Sequence, residues 1–518
     1  MLNGFCITLS ENQTKTVVGS CPFGLKNSPN WDIRHIVPND MSRLDTAVCR
    51  YTQRTGQLCG RCVNGTSPPV YSYYPQCVNC PEGTDNWAKY LALSLLPTTL
   101  FFLGTVVIKF RATSPLMNGY IMLCQVVASP SVLRRIQEHN LGNTHGEIII
   151  TGMYFSFISI WNLDFFRMLY FPFCLHPNTS TLQTLSLDYI TAVYPLVLII
   201  LTYTLVTLHY YNCRLVVWLW KPFLRCCIHF QRQFDIRNSL VDAFATFLLL
   251  SYVKFLSVSF GILTPTLLWN SRKVREPTVL YYSGTVKYFS KEHLPYAILA
   301  ITVLLVFTLL PILLLCLYPC RCFQRLLNRC NLRGQALHMF MDAFQGCYKN
   351  GTNGTKDCRY FAAFYLITRV AVHVSLAFSS VFFTNSVFFA VLSVTIFLLS
   401  YFHPYKKKIH NQLDIFFLLY ILVSLSSAWI FQANSTELVE KYDRVMFYLL
   451  APIPIMYPLC LVLYHIWRKS RRLRSATEWI RAFFSRSEHH QQWVESLPRR
   501  VILNETSGLL NRNWRNVP

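Results

Sequence analysis

Two Cys-x-x-Cys pairs, Cys59/Cys62 and Cys77/Cys80, stand in "QLCGRCVNGTSPPVYSYYPQCVNC". Their spacing is close to that with which four thiolates hold a zinc ion. On the oxidising side of a membrane the same sulfurs would pair with one another instead. The first 89 residues carry seven cysteines: Cys6, Cys21, Cys49, Cys59, Cys62, Cys77 and Cys80. Cys174, in the loop after the second apolar segment, falls on the same side in the topology derived below and can complete an eighth. Disulfides are therefore expected and zinc is the alternative; the pairing cannot be read from the sequence.

A second kind of chemistry is suggested by ionisable residues inside apolar runs. Lys254 lies within "LVDAFATFLLLSYVKFLSVSFGIL" and, at helical spacing, shares one half of that segment with Asp242, Thr246 and Ser257. Asp164 and Arg167 are three residues apart, and Arg369 and His373 four apart, so each pair can meet on a helix. A charge near the bilayer centre costs at least about 2.5 kcal/mol even on lenient scales, so these side chains must face protein or water. They are candidates for an ion or solute path, with Asp164 a possible counter-charge for Lys254. The structural alternative is a self-neutralised pair that fixes helix packing, or a side chain that snorkels.

Other constellations are weaker. Glu138, His139, His145 and Glu147 are metal-ligand types, but their spacing matches no ligand template, and a solvated loop accounts for them. His-Glu-x-x-His, Gly-x-Ser-x-Gly and phosphate-loop patterns are missing from the sequence. No enzyme activity, cofactor or metal is expected. Cys226, Cys227, Cys320 and Cys322 flank expected cytosolic helix ends, where S-acylation and unmodified buried thiols are the two readings.

The elements that must position these residues follow from composition. Of 518 residues 53% are hydrophobic and only 14% charged, too few charges for a water-soluble chain of this size. About 20 apolar residues span a bilayer as a helix, and about nine segments qualify: 90–108, 148–170, 189–211, 240–263, 295–318, 361–380, 386–402, 415–431 and 447–467. The fold class expected is all-α integral membrane. It comprises a small extracellular disulfide module (1–89), a polytopic helical domain (90–467) and a basic amphipathic cytosolic tail (468–518). The segment 116–128 is too short for a span and reads as re-entrant; if it crosses instead, the count is ten.

The net charge of +24 comes from basic runs beside the apolar segments, which is the positive-inside pattern rather than a nucleic-acid surface. Placing those runs in the cytoplasm puts the N-terminus outside and the C-terminus inside. The glycosylation acceptors Asn12, Asn64, Asn178 and Asn434 then lie outside, whereas Asn350, Asn353 and Asn504 lie inside. The opening residues lack a secretory signal, so either the first span exports them or the true start is missing. Expected partners are the bilayer, anionic cytoplasmic lipid and an extracellular ligand, with oligomeric state open. The expected location is the plasma membrane or an endomembrane.

Three phrases, "CRYTQRTGQLCGRCVNGTSPPVYS", "PLMNGYIMLCQVVASPSV" and "FMDAFQGCYKNGTNGTKDCRYFAAFYLITR" with "FHPYKKKIHNQLD" after two helices, resemble an uncharacterised family of multi-pass proteins from early-branching animals and their protist relatives. That resemblance implies a cysteine-rich ectodomain ahead of a shared membrane domain. "GCYKNG" and "HPYKKK" also resemble motifs of the fungal transient-receptor-potential-like, flavin-carrier group, which implies transport. About a dozen residues join the last two helices, too few for the pore helix and filter of a tetrameric channel. The expected function is a channel- or transporter-like membrane protein with an extracellular sensing or gating module. The alternative is a non-conducting receptor or adhesion protein that signals through its basic loops.

Overall fold

The computed structural model describes residues 5–9, 16–20, 54–55, 61–68, 77–128, 157–164, 173–177, 179–210, 236–266, 268–270, 278–329, 334–352, 355–377, 381–433, 453–461 and 463. Outside these fall Cys21, Cys49, Cys59, Arg167, the 138–147 loop, Cys226, Cys227, the tail from 468, and the acceptors Asn12, Asn178, Asn353, Asn434 and Asn504. The chain forms two units, 1–450 and 451–518. In the second, 453–461 are helical.

The chain is mostly helical. Four helices among the described residues are long and apolar enough to cross a membrane. These are α1 (Trp87–Ile108), α3 (Thr181–Tyr210), α4 (Ile236–Leu263) and the run of α5 (Leu294–Val303) through a π-helical turn (Leu304–Leu309) into α6 (Leu310–Leu317). The short helix α2 (Asn118–Val127) follows α1. After α6 come α7 (Arg321–Arg329), α8 (Gln335–Gln345), α9 (Phe361–Ala377), α10 (Val381–Phe402) and α11 (Lys408–Ala433).

The outer helices are built inside-out relative to a water-soluble protein. On α1, Ser94 and Thr98 are buried and bond back to the carbonyls of Tyr90 and Ser94 at 2.6 and 2.7 Å, while Leu96, Leu100, Leu103 and Val107 are exposed. A row of exposed leucines at helical spacing on a helix with an inward hydroxyl face suits a lipid surround, not water. Helix α4 occupies the centre. In its apolar stretch 83% of the residues are buried, against 22–28% in the other three long helices, and it packs on α1, α3, α5, α8 and α9.

At one end of the helices lie short strands. β1 (Phe5–Leu9) pairs antiparallel with β2 (Thr16–Ser20), and two small pairs follow, β3 (Arg54–Thr55) with β4 (Arg61–Cys62) and β5 (Thr66–Ser67) with β6 (Val78–Asn79). Between α4 and α5 come β7 (Pro265–Thr266), β8 (Leu268–Asn270), β9 (Val279–Leu280) and β10 (Ser283–Lys287). β8 adds to the N-terminal hairpin in the register Val17↔Asn270, Val18↔Trp269, Gly19↔Leu268.

Among the described residues two disulfides reinforce this end, Cys62–Cys77 and Cys80–Cys174, with Cα–Cα distances of 5.8 and 5.5 Å. Sulfurs paired in this way are not thiolate ligands, so Cys62, Cys77 and Cys80 do not form a zinc ribbon. Cys6 lies on β1, but its side chain is outside the described set. Asn86 ties the start of α1 to the segment before α3 through Nδ2 to the Cys174 carbonyl at 2.8 Å.

The opposite, basic end gathers the end of α1, the starts of α4 and α9, the end of α6, α8 and the start of α11. Arg111 grips Asp242 at 2.6 Å, Gln345 Nε2 donates to the Leu315 carbonyl at 2.7 Å, and Cys347–Lys349 lie against Pro404–Lys406 through Lys349 N to Pro404 O at 2.9 Å.

Candidate functional site

Lys254 lies nine residues from the strand end of α4, about 14 Å in at 1.5 Å per residue. Its Nζ meets Asp164 Oδ1 at 2.5 Å, and both side chains are nearly enclosed. Asp164 reaches it because the chain leaves helical geometry there. Residues 157–162 are helical, Leu163 takes a left-handed φ of 57°, and the Asp164 N–H turns back to the Ser159 carbonyl at 3.0 Å. The expected continuous crossing over 148–170 is thus interrupted at Leu163. In the same turn Ser159 Oγ, Trp161 Nε1 and Asn162 Oδ1 are buried with no hydrogen-bond partner among the described residues.

Helix α2 supplies a second interruption. Ten residues give it a length of about 15 Å, half a bilayer core. Every one of them is buried, so the helix runs inside the bundle against α9, α11 and the Ile160–Asn162 turn. Gln125 Nε2 donates to the Leu249 carbonyl at 3.1 Å, halfway along α4. The expectation of a short segment that does not cross agrees with this length, and no lipid-facing surface remains on it.

From α2 a polar network extends toward the basic end. The Arg369 guanidinium, on α9, donates to the Asn118 carbonyl (3.2 Å), Asn118 Oδ1 (3.0 Å) and Gln125 Oε1 (3.3 Å), and lies 5.7 Å from the Tyr365 ring centre. Asp414, on α11, accepts from the Gly119 N–H at 3.1 Å, from the Tyr365 hydroxyl at 2.7 Å and from the Tyr405 hydroxyl. Asn118 Nδ2 donates to the Tyr405 hydroxyl at 3.2 Å, closing the circuit, and Tyr348 stacks on Tyr405 with ring centres 4.7 Å apart. Burial, and then the Asp414 charge, hold the Tyr405 phenol well above its ordinary range, so it stays a donor. Gly119 is required here: a Cβ would sit 2.6 Å from Asp414 Oδ1 and 3.2 Å from its Cα.

The sequence-derived residues separate accordingly. Lys254 and Asp164 are brought together. Asp242 pairs with Arg111 at the basic end, where Thr246 also bonds the Phe110 carbonyl at 3.3 Å. Arg369 and His373 do not pair through their side chains as their spacing suggested. His373 Nδ1 contacts the Arg369 carbonyl at 2.9 Å while the guanidinium turns the other way, toward neutral oxygens of α2.

Asn118, Gln125, Tyr365, Tyr405 and Asp414 were not singled out from the sequence. Their only signal was that they fall in the phrases "PLMNGYIMLCQ", "AFYLITR" and "HPYKKKIHNQLD", which the fold assembles at one place. Among the described residues no group of three or more His, Cys, Asp or Glu is placed to hold a metal. No family model matches the chain, and no curated protein or solved structure is significantly similar to it.

Proposed function

We propose that the protein is a multi-pass membrane transport protein, channel- or transporter-like, with about nine crossings. In this reading the basic end lies in the cytoplasm and the disulfide-bearing end outside. The observation that carries the reading is the Lys254–Asp164 pair, held at depth in the central helix where two neighbouring segments stop being helical. Broken helices inside a bundle are tolerated where they are buried in protein or line a path, and transporters place their solute sites at such breaks. Ionisable side chains in the same place mark ion and solute pathways by default. Buried polar atoms of Ser159, Trp161 and Asn162 with no hydrogen-bond partner among the described residues add groups that a passing polar solute could engage.

The test is flux. Purified protein in liposomes should move inorganic ions or small polar solutes, and Lys254→Met should alter the rate or the selectivity while the protein stays folded. Normal folding and unchanged flux in Lys254→Met would remove this pair from the mechanism. No flux of any solute from a well-folded parent would leave the receptor reading. That second reading has its own support, because strand pairing and a disulfide join the outer module directly to the helix ends.

A further inference from the structure

The corner between α6 and α7 combines two features. First, Val306, Leu309, Leu310, Leu313 and Leu317 form one exposed stripe along the π turn and α6, the face this helix turns to lipid. Cys316 and Cys320, one turn apart and both exposed, carry that stripe to the end of the helix. Second, α7 is amphipathic in a particular way. Leu327 is buried and Phe323 half-buried against the protein, while Arg321, Arg325 and Arg329 form an exposed row at four-residue spacing. Beside that row, Cys322 and Leu326 make an exposed apolar edge, also four residues apart. α7 has no acidic residue. A helix of this kind, joined directly to the end of a crossing, lies along the interface with its arginines at anionic lipid phosphates and its apolar edge at the acyl boundary.

We propose that Cys320 and Cys322 are S-acylated, each carrying a long-chain acyl group inserted beside the lipid-facing stripe of α6. This rests on the reading above in which the α6–α7 corner faces the cytoplasm. The donor is a long-chain acyl-CoA. The cysteine sulfur attacks the acyl carbonyl, the bond from that carbonyl to the CoA sulfur breaks, and CoA leaves as the thiol with the proton the cysteine gave up. Exposure separates the two readings of these cysteines: neither thiol is buried, and in the proposed orientation both follow a membrane-spanning helix on its cytosolic side, where S-acylation occurs.

Full-length protein expressed in a eukaryotic cell provides the test. Free thiols are blocked, thioesters are cleaved with neutral hydroxylamine, and the thiols released are tagged with polyethylene-glycol maleimide. Cys320→Ser/Cys322→Ser should run one or two tags lighter than the parent, and peptides of the parent spanning this corner should carry the acyl mass. An unchanged tag ladder, with unmodified peptides in the parent, overturns the proposal. In the double-serine background an Arg329→Cys reporter should react with a membrane-impermeant maleimide only after permeabilisation. Reaction in intact cells would overturn the cytoplasmic placement itself, which separates failure of the topology from failure of the acylation alone.

Discussion

Lys254 and Arg369 are both basic side chains enclosed by helices, yet their donors are satisfied in different ways. The lysine is a point charge and takes one carboxylate, Asp164, at 2.5 Å. The arginine is a planar fork with five donors, and it takes neutral oxygens on α2 with an aromatic face below, leaving Asp414 to three other donors. Breaking a buried ion pair by removing one partner costs about 3–5 kcal/mol. Lys254→Met should therefore lower the unfolding temperature in detergent, and Lys254→Met/Asp164→Asn should recover most of the loss. Equal destabilisation of the single and double variants would show that the ammonium does not depend on this carboxylate. The lysine and aspartate were legible in the sequence because charge inside an apolar run is costly and conspicuous. Asn118 and Tyr365 were not, since neither is unusual there, and Asp414 reads as a solvated carboxylate because it follows "HPYKKKIH" so closely.

At the scale of elements, hydropathy located the long helices but not what covers them. Counting apolar residues gives a length, and it marked α2 as a short segment. It could not reveal that all ten residues would be enclosed, nor that the 157–164 segment would break at Leu163, because neither property depends on composition. The close approach of α2 to α11 has a sharp requirement at Gly119, where an added methyl would meet Asp414 and, at 3.3 Å, Phe417 Cβ. Overpacking of this kind costs about 1–3 kcal/mol, and here it would also press on a carboxylate that accepts from two tyrosines. Gly119→Ala is expected to lower thermal stability by that amount, whereas alanine at Gly104, which has open space around it, should cost nothing measurable. A stable Gly119→Ala protein would mean that α2 can move away from α11 freely.

Among the described residues of the first unit, the helix ends sort into two sets, one bearing the strands and disulfides and the other the Arg111–Asp242 pair and the α6–α8 contact. Asn64 is exposed and lies in the strand-bearing set, near Ser67, whose hydroxyl reaches the His176 carbonyl at 3.2 Å; Asn350 is exposed and lies in the basic set. Sugar on both would contradict this arrangement. Asn64→Gln is expected to shift mobility after glycosidase comparison and Asn350→Gln is not; sugar on Asn350 would invert the orientation. Composition changes at residue 89, and contacts join the two sides of that boundary, where β2 pairs with β8 and Cys80 bonds to Cys174. Val18 and Trp269, partners in one sheet, are 251 positions apart (269 − 18). A ribosome adding roughly 5–20 residues per second needs about 12–50 s to deliver the second strand after the first. Throughout that interval β2 lacks the strand that will cover its edge, and an open edge of this kind is a template for pairing with other chains.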